Sequence, residues 1–196
     1  MNRRALLIFT LTLGLSLLAP MASAGESPEA FIKERQAKLA SLLKGKGNDA
    51  KVAAIFDEML DYETLGKASL GKHWDERSAK EREEFQTVLK RLVRNAYRKN
   101  LKKTLDYDIS YKGETKAKSG VLVRTVATSR ANKREEPVAI DYLVHKVNGK
   151  LRVYDISTEG SSLTRNYKNQ FNRVIKKKGF AELMKRMKTK LDKEEA

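Results

Sequence analysis

The chain has 196 residues, no cysteine and two histidines, and its 41 Lys and Arg against 25 Asp and Glu give a net charge of +16. Without cysteine there is no thiol nucleophile, no thiolate metal site and no disulfide framework. The cationic excess attracts polyanions, which leaves nucleic acid, anionic membrane surfaces and acidic protein patches as partners compatible with charge.

Residues 1–24 read as a secretory signal peptide. Arg3 and Arg4 form a basic start, residues 5–19 carry no charge, and Ala22-Ser23-Ala24 is a cleavage site before Gly25. The apolar run is short for a membrane-spanning helix. An uncleaved N-terminal anchor is the alternative. Cleavage leaves residues 25–196, with a charge of +14 because the segment removed holds two basic and no acidic residues. These 172 residues suit a single domain with a charged C-terminal tail. A bacterial periplasm fits an exported chain that lacks disulfides. Export also weighs against nucleic acid as a partner.

Helices come first. Ser27-Pro28 is a helix start, with Ser as cap and Pro in the first turn. Phe31, Ile32, Leu39, Leu42 and Leu43 give that helix one apolar face, and residues 44–49 end it. Val52, Ile55, Phe56, Met59 and Leu60 mark a second helix, and residues 63–70 a short third one stopped by Gly71. Ser78 and Glu81 form a capping box that opens a long helix. Its apolar stripe is Phe85, Val88, Leu89, Leu92, Val93, Ala96, Tyr97 and Leu101, while Lys90, Arg91, Arg94, Arg98 and Lys99 occupy the other face.

At Leu105 the period drops from near 3.6 to 2. Leu105, Tyr107, Ile109 and Tyr111 alternate with polar residues, as in a strand with one buried face. A polar loop then runs to Gly120, and a second strand covers residues 121–128, with Val121 and Val123 on one face. After a charged loop, residues 138–147 and 150–158 form two strands around Asn148-Gly149, a dipeptide suited to a tight hairpin turn. Leu163, Tyr167, Phe171, Val174 and Ile175 then recur at helical spacing, and a last helix follows Gly179. The order predicts an α+β fold: a curved four-stranded antiparallel meander covered by helices.

The catalytic inventory is thin. His73 and His145 sit in no metal-binding spacing, and His145 reads as a surface residue of the hairpin. Ser161 and Ser162 lack the G-x-S-x-G context and read as helix caps. Asp141 and Asp155 lie on neighbouring strands and could do acid–base work, but an ion-pair or turn-anchoring role is the simpler reading. The apolar faces around the sheet could equally be a filled core or a lined cavity, because periodicity does not separate the two.

Several blocks resemble the MlaC family of periplasmic phospholipid-binding proteins, also called the toluene-tolerance family. They are residues 56–62, LGKHW at 70–74, residues 85–97, VYDISTEGSSL at 153–163 and NYKNQF at 166–171. Leu151 stands where the family often carries tryptophan. The resemblance implies an NTF2-like sheet-and-helix fold that encloses an apolar pocket and has no enzymatic activity. It implies a phospholipid as cargo and no other cofactor. The implied partners are an inner-membrane ABC transporter with its substrate-binding ring and an outer-membrane lipoprotein–porin complex, with the carrier itself a monomer that binds no nucleic acid.

In that setting the candidate lining is Val88, Leu92 and Tyr97 on the long helix. On the strands it is Tyr107, Ile109, Val121, Val123, Ile140, Tyr142 and Val153, and on the following helix Tyr167, Phe171 and Val174. Arg124 and Arg165 are the candidates for the lipid phosphate. Two other classes remain. One is a basic adaptor that binds anionic membrane or an acidic partner without enclosing lipid. The other is a small enzyme of the same fold, with His73, Asp141 or Asp155 in a polar pocket.

Overall fold

The computed structural model describes residues 25–195. The expected signal peptide lies outside the described residues. Ser27 caps helix α1 (Pro28–Lys44), its hydroxyl accepting from the Ala30 amide at 3.1 Å. Helices α2 (Asp49–Met59) and α3 (Tyr62–Leu70) follow, then a 3-10 turn over Gly71–His73. Gly71 ends α3 at φ +56°, a conformation that disfavours any side chain. The capping box at α4 (Ala79–Thr104) is reciprocal. The Ser78 amide donates to the Glu81 carboxylate at 2.9 Å, and the Glu81 amide donates to the Ser78 hydroxyl at 3.2 Å.

The sheet is a single curved antiparallel meander, β1 (Tyr107–Ala117), β2 (Gly120–Ser129), β3 (Val138–Val147), β4 (Lys150–Thr158) and β5 (Ser161–Ser162), in that spatial order. Asn148 at φ 50° and Gly149 at φ 77° make the expected tight turn between β3 and β4. The sheet has five strands rather than the four expected. After the turn at Glu159-Gly160 the chain doubles back, and Ser161 and Ser162 pair with Thr158 and Ser157. Two residues are too few to show a period, so the sequence carries no sign of this strand. A second correction concerns the expected polar loop before Gly120. Residues 114–117 there pair with β2 beyond a bulge between Tyr111 and Glu114. This end of the hairpin is largely exposed, so no apolar alternation marks it.

Helix α5 (Leu163–Glu195) breaks at Gly179, whose φ of 83° and ψ of 169° leave helical geometry. Its two halves pack with α3 and α4 over one face of the sheet. Phe85 of α4 is fully buried. Phe171 meets it edge-on at 5.8 Å between ring centroids, and Phe180 lies at 6.4 Å. Below them Val144 and Val153 pair across β3 and β4, both buried. The amide of Asp61 reaches the Val153 carbonyl at 2.8 Å and so ties the α2–α3 corner to the sheet.

Phe85 is the centre of this cluster. Phe85→Ala is expected to cost about 3–5 kcal/mol, read as a fall in the urea-unfolding free energy. A loss below about 1 kcal/mol would mean that the three rings do not hold the helices together.

Candidate functional site

The inner face of the sheet is set by alternation. Ile140, Tyr142 and Val144 point inward from β3, and the register places Thr158 opposite Ile140 and Ile156 opposite Tyr142. A register shift between Leu143 and Val144 lets β4 present both Val153 and Ile156 to that face, three residues apart. On the helix above, burial changes along the axis. Phe85, Val88, Leu89, Leu92 and Val93 are buried, whereas Ala96 and Tyr97 are half-buried. The packed layer therefore stops at Val93.

Beyond Val93 a cleft of about 350 Å³ opens between helices and sheet. Val93, Ala96, Tyr97 and Asn100 of α4 form one wall. Ile140, Tyr142, Ile156 and Thr158 form the floor, and Ser161, Leu163, Asn166 and Tyr167 close the far side. Among the described residues no carboxylate, imidazole or cation lines it. A smaller cleft of about 210 Å³ lies on the other side of the same floor residues, Ile140 and Tyr142. Gln36, Ala40 and Lys44 of α1 face Leu105, Tyr107, Ile109 and Arg130 across it. Two other hollows are more voluminous, about 520 and 540 Å³, but their walls are charged: Arg35, Glu58, Lys146 and Lys150 in one, and Glu81, Glu84, Lys185 and Lys188 in the other. Apolar lining, not volume, singles out the larger cleft, whereas the smaller one carries two basic residues, Lys44 and Arg130.

Tyr142 divides the two clefts, and its hydroxyl is held. The Gln36 amide donates to it at 2.7 Å, while the Tyr111 hydroxyl donates to the Gln36 carbonyl oxygen. Burial raises the Tyr142 phenol well above its ordinary value, as it does for Tyr97, where neighbouring tyrosines add to the effect. Tyr167 is raised by burial too, and Tyr111 is pushed up to about 12 by burial and by the nearby Glu29 carboxylate. The phenols stay neutral at any physiological pH. They offer hydroxyl dipoles and ring faces, not charge. Tyr167 stacks on Phe171 with centroids 5.2 Å apart, which continues the core into the cleft wall.

The corner that aims Tyr167 is built on Asp155. Its buried carboxylate accepts from the Ser162 hydroxyl at 2.6 Å, the Thr164 amide at 3.0 Å and the Ile156 amide at 2.9 Å. Ser162 in turn caps α5 by accepting from the Arg165 amide at 3.1 Å. One carboxylate thus joins β4, β5 and the start of α5.

The model of the MlaC protein family matches residues 30–189. The chain belongs to the MlaC family. Its structure is similar to that of a phospholipid-binding protein from Ralstonia solanacearum solved in complex with a phospholipid. The TM-score is 0.72 at 27% identity, and the likeness covers 86% of this chain and 98% of that one. No curated protein matches the chain in sequence.

In this MlaC-family chain the sequence-derived lining residues fall into three groups. Tyr97, Ile140, Tyr142 and Tyr167 line the larger cleft, and Tyr107 and Ile109 the smaller, which Ile140 and Tyr142 share. Val88, Leu92, Val123, Val153 and Phe171 lie in the filled core beneath. Val121 and Val174 are half-buried and line neither cleft. Arg124 is exposed on the outer face of β2, opposite Asp141. Arg165 is exposed beside the cleft, its guanidinium donating to the Gly160 carbonyl at 2.6 Å. The basic residues on a cleft wall are instead Lys44 and Arg130. Ala96 and Val93 belong to the α4 stripe and were legible as such. Gln36 and Asn100 carry no sequence signal for a wall, because only helix placement puts them there.

The titratable residues weighed for catalysis lie elsewhere. His73 is buried and engaged through both ring nitrogens, with Glu76 and Asn172, each at 3.0 Å. His145 is not a free surface residue as expected. Its Nε2 meets the Asp61 carboxylate at 2.8 Å and its ring packs on Tyr154 at 4.6 Å, because the α2–α3 corner folds onto β3 and β4. Burial alone raises the Asp61 carboxyl, but hydrogen bonds from Thr64 and His145 outweigh it and hold the group below the ordinary aspartate value. A folded-state carboxyl that is the stronger acid contributes stability in full above its unfolded value of about 3.9, and that stability is lost as pH falls through the folded value. Asp61→Ala is therefore expected to lower the urea midpoint at neutral pH, with the gap to the parent narrowing below about pH 4. A gap that stays constant down to strongly acidic pH would rule out ionised Asp61 as its cause.

Proposed function

We propose that this chain is a periplasmic phospholipid carrier that takes lipid between the outer membrane and an inner-membrane ABC transporter. The observation that carries the reading is the larger cleft over Ile140 and Tyr142, which no charged side chain lines among the described residues. Membership of the MlaC family and likeness to a protein solved with a phospholipid support it. Among the described residues the larger cleft is lined without an acid, a base or a nucleophile paired to a base, which favours a binding site over a catalytic one.

The energetics set the task. Two acyl chains hold roughly 30 methylenes, and exposing each costs about 0.8 kcal/mol, so a bare lipid in water is unfavourable by on the order of 25 kcal/mol. Walls of Leu, Ile, Val and Tyr remove most of that cost. Bilayer and cleft are both apolar, so transfer between them is close to balanced, and direction comes from an energy-using partner. Space is the second constraint. If each methylene fills about as much volume as a liquid water, ~30 Å³, two chains need on the order of 900 Å³. Neither cleft reaches that, nor do the two together, so loading must widen the interior by parting α1 and α4 from the sheet as well as join the two spaces across Tyr142. The phosphate stays at the mouth, where the carboxamides of Asn100 and Asn166 and the hydroxyl of Ser161 can donate to it.

The test is native mass spectrometry of the exported form, residues 25–196, purified from cells and then offered lipid vesicles. Bound phospholipid is the expected result. A chain that emerges empty and extracts no lipid refutes the carrier. Ala96→Trp, which places an indole in the larger cleft, is expected to lower bound lipid at least tenfold with the thermal midpoint nearly unchanged. Full lipid load in that variant would place the lipid elsewhere.

A further inference from the structure

The first half of α5, residues 163–178, has two unlike faces. Phe171 is buried and Tyr167 lines the cleft. On the far side Arg165, Arg173, Lys176 and Lys177 are all exposed. At 3.6 residues per turn these four fall within about 120° of arc, a single face. No Asp or Glu occurs from Leu163 to Ala181. Among the described residues none of the four cations is in an ion pair, and the Arg165 guanidinium donates to the Gly160 carbonyl. Beyond Gly179 the same helix is different, since Arg186 pairs with Glu182, Lys188 with Glu84 and Lys190 with Glu194. Lys185 and Lys193 there are exposed outside any ion pair, but acids stand among them, whereas the half of α5 that walls the cleft carries cations and no acid at all.

We propose that this face of α5 docks on an anionic phospholipid bilayer and brings the mouth of the cleft to the membrane surface. The inference rests on the carrier reading and adds the surface through which the carrier meets its lipid source. Asn166 joins the two features. It lines the cleft and, by helical position, sits on the cationic face next to Arg173. The partner follows from what the face lacks. A protein interface draws its energy from buried aromatic and apolar anchors and is poor in lysine. Between these cations stand Asn166, Asn169 and Gln170, with no apolar side chain exposed. A bilayer surface asks for charge alone, and each Lys or Arg near it strengthens attachment about fivefold, from roughly 1 kcal/mol, screened by salt.

The experiment is vesicle co-sedimentation of residues 25–196, with vesicles of phosphatidylethanolamine and phosphatidylglycerol against phosphatidylcholine alone, at low and high salt. The Arg173→Gln, Lys176→Gln, Lys177→Gln triple variant is compared with a control triple, Lys112→Gln, Lys116→Gln, Lys118→Gln, whose lysines are exposed on the β1–β2 hairpin. Both triples remove three charges. The α5 triple is expected to lose on the order of 100-fold in binding to the anionic vesicles, with the control close to the parent. Equal losses in the two triples overturn the proposal, because binding would then follow net charge and not this face. A parent that ignores phosphatidylglycerol vesicles yet captures polyglutamate also overturns it, in favour of an acidic protein. Copurified lipid is measured on all three chains. A parent that binds vesicles through α5 but carries no lipid keeps the docking face and rejects the carrier.

Discussion

An apolar sheet face must be covered, and here the helices cover only part of it with packed side chains. Where Val144 and Val153 pair, the layer above is closed by Phe85, Phe171 and Phe180. Two residues further along β3, Tyr142 and Ile140 face the clefts instead. The hydrophobic drive, about 25 cal/mol per Å² of apolar surface, is satisfied at one end and left partly open at the other. The closed end lets the domain fold without an occupant. The open end leaves an uncovered surface on which an apolar guest gains free energy.

The polar groups that frame this opening are arranged at its edge and are internally satisfied. Asp155 holds the β4–β5–α5 corner through three accepted hydrogen bonds. Thr125, buried on β2, donates to the Ile140 carbonyl at 2.6 Å and braces the floor from below. Gln36 carries hydroxyls from two strands on one side chain. Buried polar groups that find partners rigidify their surroundings, and unpaired ones are costly. The walls are therefore fixed by hydrogen bonds that no apolar guest needs to compete for. Through Gln36, α1 is hydrogen-bonded to Tyr142 of the floor at the wall of the smaller cleft.

Charge is separated in the same way. The interior offers phenols that burial keeps neutral, while none of the described lysines and arginines is buried. The larger cleft, with no charged side chain among its described lining residues, does not hold counter-ions or the water they bring, so it stays fit for hydrocarbon. The outer face of the first half of α5 has the opposite character, with cations and no acids. A single helix thus joins an apolar wall to a cationic exterior.

Local chemistry was legible in the sequence, and the choice between packed and open was not. The capping box at Ser78, the turn at Asn148-Gly149, the period change at Leu105 and the serine caps of α5 are signals within a few residues, set by backbone geometry that acts at that range. The α+β order and the identity of the inward faces followed from them. The fifth strand escaped because two residues show no period, and the Asp61–His145 pair because its members are 84 positions apart. The tertiary structure alone decided which members of one stripe touch other side chains and which face space. Val88 and Tyr97 lie on the same apolar stripe of α4, yet one is buried in the core and the other lines the cleft. Alternation and helical spacing specify direction from the backbone, whereas filling depends on the distance to the opposite layer, which arises only when helix and sheet are placed together.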